Sequence, residues 1–129
     1  MDENKKVRIL LVEDEAITAL AINMALENMG YAACEPVATG RKALERLPLD
    51  KPDVILLDIN LTGEMDGIET AQRVRDLCST PIIFISGYSS NELMARANAI
   101  APVAIFVKPV RPQELQAAIE TAVQGKTIP

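Results

Sequence analysis

The chain is predicted to fold as one α/β domain, a doubly wound sheet of five parallel strands with helices on both faces. Three observations carry that prediction. Five short, largely apolar runs recur along the 129 residues, four of them have no polar interruption, and a stretch with helical spacing follows each. Alternating strands and helices of this kind bury both faces of a parallel sheet through helical crossovers.

The first strand, residues 9–12, is apolar throughout. Residues 15–29 follow as a helix, with Ile17, Leu20, Ala21, Met24 and Ala25 spaced as a core face and Gly30 placed as its stop. The second strand, 32–37, contains Pro36, which cannot donate to a ladder, so it belongs at a sheet edge. Thr39 is suited to cap a second helix, 39–47. A loop over 48–52 leads to the third strand, 54–57. Asp66 and Glu69 have capping-box spacing ahead of a helix over 68–77. The fourth strand, 81–85, precedes a short helix, 91–99, and the fifth strand spans 103–107. Pro112 suits the first turn of a last helix running to Gln124, whose core face carries Leu115, Ala118, Ile119, Ala122 and Val123.

Composition narrows the function classes. With 49% apolar and 24% charged residues the chain is globular rather than disordered. A net charge of -5 disfavours non-specific binding to nucleic acid or anionic membranes. No apolar stretch reaches the ~20 residues that span a bilayer, and the charged start lacks a signal-peptide core, so a cytoplasmic address is expected. Cys34 and Cys78 fit neither a CxxC pair nor a zinc pattern and read as incidental thiols. The absence of histidine removes histidine acid–base chemistry, histidine metal ligands and a phosphohistidine carrier role. Residues 1–7 are expected to be an N-terminal extension, 8–124 the domain, and 125–129 a tail too short for an output domain.

In open doubly wound sheets, ligands bind at the carboxyl ends of the strands. Four strand ends here carry polar residues: Glu13 and Asp14, Asp58, Ser86, and Lys108. Three carboxylates at neighbouring ends repel one another and are costly to desolvate. A hard divalent cation such as Mg²⁺ resolves that conflict, with Asp14 and Asp58 as direct ligands, Glu13 acting through a water, and a backbone carbonyl such as that of Asn60 completing the shell. Lys108 offers a compact positive charge to a phosphate, and Ser86 a hydroxyl. Asp58 is the natural nucleophile, because an aspartyl phosphate is an accessible covalent product of that side chain.

The segments VEDE at 12–15, LLDINL at 56–61, ISG at 85–87 and VKP at 107–109 resemble the receiver domain of two-component response regulators, over about residues 8–124. The resemblance implies a (βα)5, CheY-like fold with strand order 2-1-3-4-5. It also implies that Asp58 accepts a phosphoryl group from a sensor histidine kinase or phosphotransfer protein, with Mg²⁺ held by Glu13, Asp14, Asp58 and the Asn60 carbonyl. Ser86 takes the place of the switch hydroxyl, Lys108 that of the phosphate-binding lysine, and Lys108–Pro109 that of the family's cis peptide. The face built by the fourth helix, fifth strand and fifth helix is the implied output surface, toward a protein target or a second copy of the chain.

Two departures bear on signalling. The family usually places an aromatic three residues before the lysine, where this chain has Ile105, with Phe106 beside it. Phe84 to Tyr88 reads FISGY, which is similar to the FATGUY subgroup of single-domain receivers and puts Tyr88 two residues beyond Ser86. An enzyme is the competing reading, because 58–62 resembles the DxDxT motif of haloacid-dehalogenase-type phosphatases. Asn60 stands where that chemistry needs a second acid, however, and there is no room for a cap domain. A flavodoxin-like nucleotide-binding module lacks its glycine-rich phosphate loop. A pseudo-receiver serving only as a protein-binding module would not need the full acid, hydroxyl and lysine set.

Overall fold

The computed structural model describes residues 6–87 and 90–127, with side chains through Gln124. Five strands, β1 (Arg8–Val12), β2 (Ala32–Ala33), β3 (Val54–Asp58), β4 (Ile82–Ser86) and β5 (Ala104–Val107), alternate with α1 (Ala16–Asn28), α2 (Gly40–Asp50), α3 (Gly67–Leu77), α4 (Asn91–Asn98) and α5 (Pro112–Thr127). All pairings are parallel and the order is β2-β1-β3-β4-β5, as the receiver resemblance implies.

The uninterrupted apolar strands are explained by two cores. Leu10, Val12, Ile55, Leu57, Ile82 and Phe84 point to the face covered by α2, α3 and α4. Their neighbours Ile9, Leu11, Val54, Leu56, Ile83 and Ile85 point to the face covered by α1 and α5. Alternate side chains of a strand face opposite ways, so a strand sandwiched between helix layers must be apolar at every position.

β2 lies at the edge, as Pro36 requires, but is shorter than expected. Its ladder covers two residues and resumes as a single bridge between Val12 and Val37. The chain steps around Pro36, with Cys34 N–H donating to Ile9 O and Val37 N–H to Leu11 O. α2 runs past its expected end, through Pro48 to Asp50, and stops on Lys51 in the left-handed region (φ 47°). Its final turn is tied by an Arg46–Asp50 ion pair at 2.6 Å. The caps follow the sequence: Thr39 accepts from Lys42 N–H, and Asp66 with Glu69 forms a complete capping box. α5 begins at Pro112 and extends beyond Gln124 to Thr127.

The main correction concerns α1. The stripe expected to face the core lies outward instead, with Ile17, Leu20 and Met24 exposed by 85%, 62% and 55%. Ala19 and Leu26 are buried, and Ile22 packs beside them. α1 is apolar on more than one side, so helical spacing alone does not select its buried face. On α5 the expected face is the observed one, with Leu115, Ala118, Ile119 and Ala122 buried and Val123 packed against them. Among the described residues, no helix is long and apolar enough to cross a membrane.

Candidate phosphoacceptor site

The strand order reverses between β1 and β3, and the crevice at their carboxyl ends is where such sheets bind ligands. Glu13 and Asp14 leave the end of β1 there, and Asp58 is the last residue of β3. The register brings Ser86 and Lys108 alongside: Ile59 N–H donates to Ile85 O at 2.8 Å, and Lys108 N–H to Ser86 O at 2.8 Å. Residues distant in sequence thus meet because four parallel strands end together.

Ligand oxygens of Glu13, Asp14 and Asp58 lie within 4.8 Å of one another. Glu13 and Asp58 are each only 3% exposed, while Asp14 is partly open to solvent. The Lys108 Nζ donates to Glu13 Oε1 at 2.7 Å and to Asp58 Oδ2 at 3.3 Å. Glu13 Oε2 accepts from Glu15 N–H, and Asp58 Oδ1 from Asn60 N–H at 2.9 Å. Thr62 donates to Asp14 Oδ2 through its hydroxyl at 3.0 Å and its N–H at 3.4 Å.

Burial raises the Glu13 carboxyl above its ordinary pKa; the hydrogen bonds from Lys108 and Glu15 counter this, and the charge of Asp58 adds to the rise. Burial pulls the other way on Lys108, but the bond to Glu13 and the two nearby carboxylates outweigh it, so its pKa ends up raised. The asymmetry follows from geometry. Lys108 has two anionic partners, whereas Glu13 shares one ammonium with Asp58.

When all three carboxylates are ionised, one ammonium leaves the cluster with two uncompensated negative charges. All-oxygen donors, two of them buried, with that residual charge form a pocket able to hold a hard divalent cation.

Ser86 is fully buried and its hydroxyl donates to Asn60 Oδ1 at 3.0 Å; Gly87 N–H donates to the same oxygen at 2.9 Å. The Lys108–Pro109 peptide is cis. Ile105 packs into the core beneath α2, α3 and α4, and Phe106 into the opposite one, so neither is free in the crevice. Tyr88 lies outside the described residues.

Sequence reasoning passed over two residues. Thr62 holds Asp14, and its only signal was a hydroxyl four residues beyond Asp58. Gly67 brings the first turn of α3 onto the backbone at Asp58: a Cβ there would sit 2.0 Å from Asp58 O and 2.6 Å from Ile59 Cα. Its N–H donates to Ile59 O at 3.0 Å.

An open parallel sheet with a buried aspartate, an acidic cluster and a lysine at its switch point marks an α/β domain with a candidate ligand site at its strand ends. This chain belongs to the response regulator receiver domain family, whose profile matches residues 9–120. It is 32% identical over 116 residues to the transcriptional regulatory protein PdtaR of Mycobacterium tuberculosis, covering 90% of this chain and 56% of that protein. The chain thus spans about half the length of that relative. The signal receiver domain of a modulated diguanylate cyclase from Desulfovibrio desulfuricans G20 superposes with a TM-score of 0.89 at 35% identity, over 95% of this chain and 97% of the other. A CheY-like receiver domain protein from Methanospirillum hungatei gives 0.87 at 27% identity, over 95% and 97%.

Proposed function

We propose that this chain is the phosphoacceptor switch of a two-component relay, in which Asp58 takes a phosphoryl group from the phosphohistidine of a sensor kinase or phosphotransfer protein. The observation that carries the reading is the buried Asp58 carboxylate, 3.3 Å from Lys108 and inside a three-acid cluster. An Asp58 oxygen forms the new bond to phosphorus, the phosphorus–nitrogen bond breaks, and the electron pair leaves on the histidine nitrogen. Such transfers leave little covalent work for the protein, so positioning and charge neutralisation set the rate.

Asn60 N–H orients the Asp58 carboxylate, Lys108 neutralises it and the incoming oxygens, and Ser86 lies one strand away with a hydroxyl to offer. Mg²⁺, held by Glu13, Asp14, Asp58 and the Asn60 carbonyl, would supply Lewis-acid neutralisation of the phosphoryl oxygens. The partner's docking surface is the exposed apolar stripe of α1, Ile17, Leu20 and Met24, which borders the acidic cluster. A groove of about 560 Å³ between α1 and α5, floored by Pro109 and Leu115, continues that surface. The chain serves as a regulator rather than a turnover enzyme, and its output face is that of α4, β5 and α5.

With Mg²⁺ and acetyl phosphate, intact mass should show one added phosphoryl group, lost on treatment with hydroxylamine as an acyl phosphate must be. Full labelling in Asp58→Asn would overturn the assignment.

A further inference from the structure

We propose that the Asn60 side chain is a latch for the unphosphorylated state, holding Ser86 and Gly87 on one oxygen until a phosphoryl group on Asp58 takes the Ser86 proton. The inference rests on Asp58 being the phosphoacceptor and adds what restrains the response.

Asn60 Oδ1 accepts from Ser86 Oγ at 3.0 Å and from Gly87 N–H at 2.9 Å. A backbone N–H can only donate, so the atom facing it must be the amide oxygen, which settles the orientation of the side chain. Two donors saturate the two lone pairs of that oxygen. The backbone N–H of the same residue donates to Asp58 Oδ1 at 2.9 Å. Asn60 therefore grips the acceptor through its main chain and the responding segment through its side chain.

A serine hydroxyl has one proton to give. With Ser86 fully buried, that proton is directed at Asn60. A phosphoryl group on Asp58 brings about -1.5 to -2 charges and competes for the same proton as a charged acceptor. Charge-assisted bonds are roughly twice as strong as neutral ones, so the phosphoryl group wins, and Ser86 leaves Asn60. The shared oxygen then holds Gly87 alone, and the end of β4 loses the Ser86 tie to Asn60. Asparagine suits the role because it is a neutral acceptor. An aspartate would accept both bonds but add a fourth carboxylate to the cluster.

The test begins on protein free of Mg²⁺ and phosphodonor. The Gly87 amide should be protected from hydrogen exchange in the wild type, exposed in Asn60→Ala, and protected again in Asn60→Asp, which restores an acceptor. The affinity for beryllofluoride with Mg²⁺, a stand-in for the phosphoryl group, should then tighten in Asn60→Ala by roughly three- to tenfold, the worth of one ordinary hydrogen bond. That gain should collapse when Ser86→Ala is already present. Unchanged or weaker binding in Asn60→Ala, or the same gain without the Ser86 hydroxyl, would overturn the latch. Failure of the wild type to bind beryllofluoride at all would instead count against Asp58 as the acceptor.

Discussion

Gly67→Ala tests whether packing of α3 on β3 positions Asp58. The added Cβ would lie 2.0 Å from Asp58 O, 2.6 Å from Ile59 Cα and 2.8 Å from Asp58 C. All three are backbone atoms, so no side chain can rotate away. Either α3 lifts and stretches the Gly67–Ile59 hydrogen bond, or the end of β3 shifts. Overpacking in a close-packed site costs about 1–3 kcal/mol, and rigid neighbours favour the upper end. For a domain of this size 1–3 kcal/mol is a fall in Tm of roughly 4–11 °C, with the upper half of that range expected here. Gly30→Ala is the control, because Gly30 has φ +94° with nothing within 4 Å of the added atom. It suffers backbone strain alone, about 1–2 kcal/mol, at the far end of α1 from the acidic cluster. Thermal unfolding followed by circular dichroism, with acetyl phosphate labelling followed by mass, separates the two. Gly67→Ala should lose both stability and labelling rate, whereas Gly30→Ala should lose stability only. A Gly67→Ala protein with wild-type Tm and labelling would refute the reasoning.

Two further outcomes are expected. Lys108→Met should destabilise the metal-free protein at neutral pH by about 2 kcal/mol, below the cost of breaking a fully buried pair because Lys108 keeps some solvent access. The folded-state pKa of Lys108 is raised above 10.5, so its contribution is fully present below that pH and lost as pH climbs through the folded value; urea titrations should show the deficit of the variant shrinking in strong alkali, and a constant or widening deficit would contradict the ion-pair account. On α1, Ile17→Lys and Met24→Lys should change stability by no more than about 0.5 kcal/mol and leave acetyl phosphate labelling intact while slowing phosphotransfer from a kinase; a large loss of Tm would show that the stripe packs inward.

The strands and the site were legible in the sequence for the same reason. A strand covered on both faces has no room for polar residues, so the first polar residue after each apolar run marks where the sheet ends. Ile9 to Val12 followed by Glu13, and Val54 to Leu57 followed by Asp58, are such boundaries. The buried side of α1 was illegible because Ile17, Leu20 and Met24 compete with Ala19, Ile22 and Leu26 for one core, and only tertiary packing chooses between them. Pro48 misled because a proline late in a helix removes one bond without preventing the last turn. Gly67 carried no mark of its closeness to Asp58, since a forbidden Cβ becomes apparent only when α3 is seated on β3. Asn60 was read for its backbone carbonyl and for the acid it is not, while the reach of its side chain to β4 depends on strand register.

The arrangement of Lys108 also says why the acidic cluster suits a switch better than a fixed scaffold. Its ammonium is closer to Glu13 than to Asp58, 2.7 Å against 3.3 Å. If Asp58 carries a phosphoryl group, the added charge strengthens the pull on Lys108 from that side, and any movement toward it weakens the bond to Glu13. Glu13 is 3% exposed and its carboxyl is already pushed upward by burial, so a weaker bond from Lys108 would push it further in the same direction. On the proposed function, phosphorylation of Asp58 and the proton affinity of Glu13 would thus be coupled through one lysine. A site in which each charge had its own partner would accept a phosphoryl group without passing the disturbance on.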